Sequence, residues 1–288
     1  MITAVEKKSD GTLILTMTLQ WAKILETKES VINELVKEVQ LPGFRKGHAP
    51  KDVAIKQLSA EKIYEDVVQK LLPSAYTEAV NEQKLHPVVL PKIEIVEAKE
   101  ENDWIIRATT AEKPAVTVGD YKKAIQEKKA AKQNKIWTPA DGAKPQDPKE
   151  EAKAKQMTLG ELLEALMSVV TCQIPDILVE HEVNRGLSDL IDQTKKLGLT
   201  VEQYLSSTGR TTESIRKEFA DNARRTLTLE FALETIGDRE SIFVSDDDVD
   251  GAIKSAKTEE EKVSLTKERY YLASILRRQK TLDFLSSL

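Results

Sequence analysis

The stretch LPGFRKGHAP, residues 41–50, places one phenylalanine and two strong cations between glycines and prolines. Because Gly and Pro interrupt regular structure, the stretch predicts a turn or an exposed loop. In such a loop Phe44 supplies apolar anchoring area, while Arg45 and Lys46 supply charge that suits an acidic protein surface or phosphate groups. Two interpretations stay open at this point. The loop is a binding tip, or it is a tight connection in which Phe44 folds back into the core.

The stretch SDDDVDGAIKSAK, residues 245–257, matches part of a calcium-binding EF-hand loop. If the loop begins at Asp246, then Asp246, Asp248 and Asp250 occupy its first, third and fifth positions. Gly251 occupies the sixth position. The twelfth position is Lys257, where calcium binding needs a bidentate glutamate. Ser245 is a good helix N-cap, and acidic residues are favoured in a first helical turn. The segment therefore predicts the start of a helix and no metal site.

The remaining reactive side chains form no catalytic pattern. The three histidines, His48, His86 and His181, lie far apart and lack metal-ligand spacing. The single cysteine, Cys172, excludes an internal disulfide, and its apolar context predicts a small buried residue within a helix. Neither a nucleophile motif nor a phosphate-binding loop occurs. The sequence thus predicts no cofactor and no metal.

Composition limits the class of protein. The 288 residues are 40% hydrophobic and 32% charged, with a formal net charge of -5, and their length suits about two domains. A mildly acidic total argues against a protein that coats nucleic acid. The N-terminus lacks the apolar core of a signal peptide, and the chain contains no apolar run of about 20 residues. We therefore expect a cytoplasmic protein without a membrane segment.

Residues 1–112 predict an α+β domain. Asp10-Gly11 marks a hairpin turn beside a strand in which Leu13, Leu15, Met17 and Leu19 share one face. An apolar helical stripe follows over residues 31–39. A short helix is predicted from Pro50, and a long one from Ser59 to Leu85, with Pro73 inside it as a candidate kink. A second hairpin comes next, with Ile93, Ile95 and Ala98 expected on one face.

The chain after residue 112 predicts helices. Residues 113–156 hold one polar helix and then a proline-containing linker with little to bury. From Met157 onward the amphipathic pattern is helical almost without a break. Pro175 is expected to open a helix, and Gly198 and Gly237 are expected to end helices. The predicted fold is an α+β N-terminal domain followed by an all-α, elongated C-terminal domain with helical arms.

The loop and its setting resemble the signature of the trigger factor family, ribosome-associated bacterial chaperones. The resemblance rests on Gly43, Phe44, Arg45, Lys46 and Gly47, followed by Pro50, between a hairpin with a helix and two helices with a hairpin. It implies that the loop is the tip of a ribosome-binding domain, which docks on a large-subunit protein and RNA beside the exit tunnel. His48 stands where the family usually has lysine. Because histidine is mostly neutral near pH 7, the loop carries less positive charge at this position.

The family's FKBP-like prolyl isomerase domain has no counterpart in this chain. The interval 113–156 is too short to hold it, and Tyr121 and Trp137 are its only aromatic residues. The resemblance therefore implies a variant with three parts. These are a ribosome-binding domain at 1–112, an extended segment and linker at 113–156 and a helical substrate-binding domain at 157–288. We expect no isomerase activity.

The resemblance implies an ATP-independent chaperone that docks at the exit tunnel and shields nascent or unfolded polypeptides on apolar helical faces. Weak homodimer formation off the ribosome is a further expectation. Two alternatives remain at the level of sequence. One is a prolyl isomerase with residual activity, and the other is an RNA-binding ribosome-assembly factor that uses the same loop on phosphates.

Overall fold

The computed structural model describes residues 2–38, 58–133, 157–256 and 258–288. Its contacts divide the chain into two compact units. The N-terminal unit consists of Met1–Lys113 with Pro175–His181, and the C-terminal unit consists of Pro114–Ile174 with Glu182–Leu288. The predicted loop at 41–50 and the predicted short helix from Pro50 lie outside the described residues.

The N-terminal unit is a four-stranded antiparallel sheet with two long helices. The strand order is β1-β2-β4-β3, so that β1 and β3 are the edges. The elements in chain order are β1 (Ile2–Lys7), β2 (Thr12–Leu19), α1 (Trp21–Glu38), α2 (Ala60–Glu82), β3 (Lys92–Glu97) and β4 (Trp104–Ala111).

The core of this unit lies between the sheet and its helices, as the strand alternation predicts. Leu15 pairs with Ala108 and Met17 with Ile106, and all four side chains are fully buried. Residues directly opposite each other in antiparallel strands share a face of the sheet. The buried helical side chains that pack in the same cluster include Ile24, Val31, Ile63, Val67, Ala75 and Ala79.

Three local predictions in this unit meet different outcomes. The hairpin at Asp10-Gly11 is confirmed, with Gly11 at a φ of 93° that L side chains rarely adopt. The long helix is also confirmed, since Ser59 caps it by accepting a hydrogen bond from the Lys62 amide, and it continues through Pro73. The expected alternation in β3 fails after Ile95. A bulge between Ile95 and Glu97 shifts the register, and Ala98 lies beyond the strand.

The C-terminal unit is mostly helical. Its elements in chain order are β5 (Val116–Val118), α3 (Tyr121–Gln133), α4 (Leu159–Met167), β6 (Val170–Cys172), α5 (Asp176–Lys196, whose first residues group with the N-terminal unit), α6 (Val201–Thr208), α7 (Thr212–Arg239), α8 (Asp246–Lys254), α9 (Glu259–Lys267) and α10 (Arg269–Ser287). Five of these helices begin with a capping box, including α4, α7 and α8.

The prediction that Cys172 lies in a helix is wrong. Val170–Cys172 is a strand that pairs antiparallel with Val116–Val118. The short Val-Val-Thr run prolongs the apolar pattern of α4, and a strand of three residues is too short to show its own alternation. Cys172 is half-buried rather than buried, and this burial raises the pKa of its thiol.

The prediction that Gly237 ends a helix is also wrong. Gly237 is buried inside α7, which continues to Arg239. A Cβ at this position would lie 3.2 Å from Thr281 Oγ1 and 3.5 Å from Arg277 Nε of α10. The glycine therefore allows α7 and α10 to approach closely. Gly198, by contrast, follows the end of α5 with a φ of 72°, as predicted for a helix stop.

The α+β N-terminal region and the mostly helical C-terminal region confirm the predicted fold class. The core of the C-terminal unit joins elements from both ends of its sequence. Its buried members are Val118, Tyr121, Ile125, Leu162, Ala165, Leu166, Leu233, Ile236 and Leu285. Within the described residues, none of the helices is long and apolar enough to span a membrane.

Candidate functional site

Helices α1 and α2 flank the interval of residues 39–59, in which the predicted binding loop lies. Lys70 Nζ of α2 lies 2.6 Å from Glu34 Oε1 of α1, and Lys28 Nζ of α1 donates to the Tyr64 hydroxyl of α2 at 2.6 Å. Buried Val31 and Val67 belong to the core cluster shared by both helices. The two helix ends that flank the loop are thus fixed to one core.

The predicted loop residues themselves have no described geometry. They are Gly43, Phe44, Arg45, Lys46, Gly47, His48 and Pro50, which all lie between the described ends at Glu38 and Leu58. Their role in binding stays a prediction.

The C-terminal unit exposes large apolar side chains at the start of α10, on α9 and in the segment between α7 and α8. Tyr270 is 95% exposed, Phe243 74%, Tyr271 60% and Val263 55%. An aromatic side chain offers more apolar contact area than most others, and it loses little conformational entropy when it is held. These four residues, the aromatic surface, are therefore candidates for contact with another polypeptide.

Ion pairs hold the start of α10 and thereby position the two tyrosines. Arg269 is the first residue of α10, and its guanidinium donates to Asp246 at 3.0 Å and to Asp250 at 2.5 Å, both on α8. Leu272, three residues later, is buried. The helix is therefore anchored on either side of Tyr270 and Tyr271, whose side chains stay exposed.

The acidic stretch at 245–257 begins helix α8, as predicted. Ser245 and Asp248 form a capping box, and Lys280 of α10 donates to Asp248 Oδ2 at 2.6 Å. The hydrogen bond from Lys280, followed by those from Ser245, lowers the pKa of Asp248 to about 2. Within the part of the chain that the structure describes, no group of three or more acidic, histidine or cysteine side chains could hold a metal ion. These aspartates therefore join α8 to α10.

The aromatic surface was not predicted residue by residue. The sequence carries one usable signal, because Tyr270 and Tyr271 are adjacent in KERYYLAS. Adjacent residues on a helix point about 100° apart, so a narrow buried stripe cannot cover both. The helical pattern alone does not say which of them faces solvent, since that depends on how α8 and α10 pack.

The combination of an antiparallel α+β unit with a mostly helical unit defines a fold class, and comparison with known proteins identifies the family. The family model described as bacterial trigger factor protein matches residues 1–136, and the model described as its C-terminus matches residues 145–287. Together they span almost the whole chain. The chain therefore belongs to the trigger factor family, a family of chaperones.

Curated relatives agree with the family models over part of the chain. The trigger factor of Streptococcus suis (strain 05ZYH33) is 39% identical over 133 residues, which are 46% of this chain and 31% of that protein. The trigger factor of Streptococcus pyogenes serotype M5 (strain Manfredo) is 36% identical over 133 residues, which are again 46% of this chain and 31% of that protein. The aligned part thus spans about a third of the length of these relatives.

One solved structure shares the fold of the whole chain. Its title is "Promiscuous Substrate Recognition in Folding and Assembly Activities of the Trigger Factor Chaperone". It aligns with a TM-score of 0.63 over 100% of this chain and 99% of that one, at 14% sequence identity. At this identity the similarity establishes the fold alone.

We predict that acid weakens the attachment of α8 to α10 through Asp248. A carboxylate with a lowered pKa stabilises the folded state above its unfolded pKa of about 4, and this contribution disappears as pH falls toward about 2. Asp248→Asn should therefore lower the thermal midpoint at pH 7, and its difference from the unsubstituted chain should shrink as pH falls from 4 to 2. Circular dichroism melts across this range measure both effects.

The matched control is Asp247→Asn, which removes the same charge from the same helical turn at an exposed position. It should change the midpoint less and should not reproduce this pH dependence. Equal effects of the two substitutions would show that only the helix dipole is involved.

Proposed function

We propose that this chain is an ATP-independent chaperone that docks at the ribosomal exit tunnel in the cytoplasm and shields nascent or unfolded polypeptides. In this proposal residues 1–112 bind the ribosome, residues 157–288 bind clients and residues 113–156 replace the isomerase domain. Off the ribosome the chain forms a weak homodimer. The observation that carries the proposal is the GFRKG loop between two helices of a family-matched N-terminal domain.

Docking is assigned to Phe44, Arg45 and Lys46, with Gly43, Gly47, His48 and Pro50 shaping the loop. The described part of the unit supports this assignment in one respect. The two helices that flank residues 39–59 contribute side chains to one core.

We predict that replacing Phe44, Arg45 and Lys46 with alanine lowers ribosome co-sedimentation at least tenfold. The substitutions remove the apolar anchor and both cations that would contact a ribosomal protein or RNA. Sedimentation of the chain with purified ribosomes through a sucrose cushion measures the effect, and circular dichroism checks the fold.

A control variant replaces the exposed residues Lys8, Lys23 and Leu25 with alanine. These substitutions also remove two positive charges and one large apolar side chain from the N-terminal unit. It should bind ribosomes as the unsubstituted chain does. Undiminished binding by the loop variant would contradict the docking assignment.

Client holding is assigned to the aromatic surface of the C-terminal unit. Contiguous exposed apolar surface with a rim of charged side chains is typical of sites for other chains. The surface includes Tyr270 and Tyr271, and its Val263 lines a shallow groove together with Glu259 and Glu260. Many weak contacts of this kind hold an unfolded segment and release it when the segment buries its own apolar surface.

We predict that Tyr270→Ser combined with Tyr271→Ser weakens the suppression of client aggregation by about threefold to tenfold, because it removes two exposed aromatic contacts. Light scattering during dilution of a chemically denatured client measures the effect. Tyr270→Phe with Tyr271→Phe keeps the aromatic area and should retain full suppression. Loss of suppression in the phenylalanine pair as well would contradict an apolar contact.

We further propose that the chain lacks prolyl isomerase activity. The family models that match are those of the N-terminal and C-terminal parts. The ends that flank residues 134–156 lie close together, since Lys132 Nζ is 2.5 Å from Glu161 Oε2 and Lys128 Nζ is 3.1 Å from Glu164 Oε2. A short connection is therefore sufficient there. Proline-limited refolding of a model substrate should proceed at its uncatalysed rate, and clear acceleration would contradict the proposal.

A further inference from the structure

Positive and negative charges are unevenly distributed along the N-terminal part of the chain. Residues 2–38 and 60–113, the body of this unit, contain 17 aspartates and glutamates but only 12 lysines and arginines. Residues 39–59, which separate α1 from α2, contain four lysines and arginines and one aspartate. The positive charge that attracts phosphate is therefore concentrated in the interval that holds the predicted docking loop, whereas the body is acidic.

Four exposed glutamates on α1 and α2 have no cation to balance them. They are Glu26 and Glu29 of α1 and Glu78 and Glu82 of α2, the body carboxylates. Among the described residues none of the four forms an ion pair, in contrast to Glu34 of α1, which pairs with Lys70 at 2.6 Å. Their negative charge therefore acts on any molecule that approaches these two helices.

The stability of the helices does not explain the body carboxylates. Glu26 and Glu29 are three residues apart and Glu78 and Glu82 are four apart, spacings at which like charges lie side by side on a helix and destabilise it. Glu82 is also the last residue of α2, where the helix dipole disfavours a negative charge. The four charges thus add no stability to the helices, which favours a role in recognition.

We propose that the body carboxylates exclude RNA from α1 and α2 and thereby restrict ribosome docking to residues 39–59. Phosphates that lay against either helix would come within about 8 Å of these carboxylates, the distance over which charges interact at physiological salt. The same phosphates attract Arg45 and Lys46, so that approaches led by the loop are favoured over all others. The inference rests on the proposed docking function and adds residues that determine its specificity.

The test is the affinity of the full chain for a labelled RNA duplex of about 20 base pairs, measured by fluorescence anisotropy at low and high salt. Replacing all four body carboxylates with glutamine should raise this affinity about threefold to tenfold at low salt, because four repulsive charges are removed. The gain should shrink as salt screens the charges. Circular dichroism should show a thermal midpoint at or above that of the unsubstituted chain, since the like-charge pairs are gone.

The matched control removes four exposed carboxylates from the C-terminal unit, through Asp189→Asn, Asp192→Asn, Glu202→Gln and Asp221→Asn. It changes the net charge by the same amount and should leave the RNA affinity within about twofold of that of the unsubstituted chain. An equal gain in the two variants would assign the effect to net charge alone and overturn the proposal. An unchanged RNA affinity in the body variant overturns it as well.

Competition on ribosomes separates repulsion of RNA from attraction to a ribosomal protein. When unlabelled RNA duplex is added during co-sedimentation, less of it should displace the body variant from ribosomes than displaces the unsubstituted chain. If the body variant loses ribosome binding without any competitor, the carboxylates contact a basic protein surface and the proposal is wrong.

The outcome is separable from that of the proposed function. If the unsubstituted chain does not co-sediment with ribosomes, the docking proposal fails, while the anisotropy data still decide whether the body carboxylates repel RNA. If the chain does co-sediment and the body variant gains no affinity for RNA, docking is retained and the exclusion proposal fails.

Discussion

The antiparallel pairing of Val116–Val118 with Val170–Cys172 is the constraint on which the C-terminal unit depends. It joins a strand that precedes α3 to one that follows α4, so that residues on both sides of the interval 134–156 enter one core. Gly119 donates to the Val169 carbonyl at 2.9 Å, and a Cβ on this glycine would lie only 3.1 Å from that oxygen. The close backbone contact therefore favours glycine at this position.

The same junction fixes the long helix α7 and, through it, the helix α10 that carries the exposed tyrosines. The buried hydroxyl of Tyr121 donates to Glu240, which also pairs with Lys122 at 2.7 Å, and the Arg239 guanidinium donates to the Val118 carbonyl. Burial and then Glu240 raise the pKa of Tyr121, so that the donor stays protonated. Helix α10 packs on α7 at Gly237, and its ion pairs to α8 position the exposed tyrosines. The packing of the C-terminal core thus determines where the exposed tyrosines lie on this unit.

The sequence alone predicted correctly those helices and strands whose patterns extend over several consecutive residues. The alternation of Leu13 to Leu19 predicted a half-buried strand, and Ser245 followed by acidic residues predicted a helix start, and both are present. The errors arose where contacts distant in sequence decide the outcome. Val170–Cys172 is a strand because Val116–Val118 pairs with it, and Gly237 continues a helix because α10 needs the space that a side chain would fill. In both cases the contacting residues are distant in sequence, so that a local sequence pattern cannot reveal the contact.

The central claim is that one chain is held at the exit tunnel by residues 44–46 while its C-terminal unit contacts the emerging polypeptide. A photo-crosslinking amino acid at the exposed position 270, on ribosomes stalled with a nascent chain, tests this claim most directly. The account predicts crosslinks to the nascent chain that disappear when Phe44, Arg45 and Lys46 are alanine. Crosslinks that persist without the loop residues, or their absence from the intact chain, would contradict it.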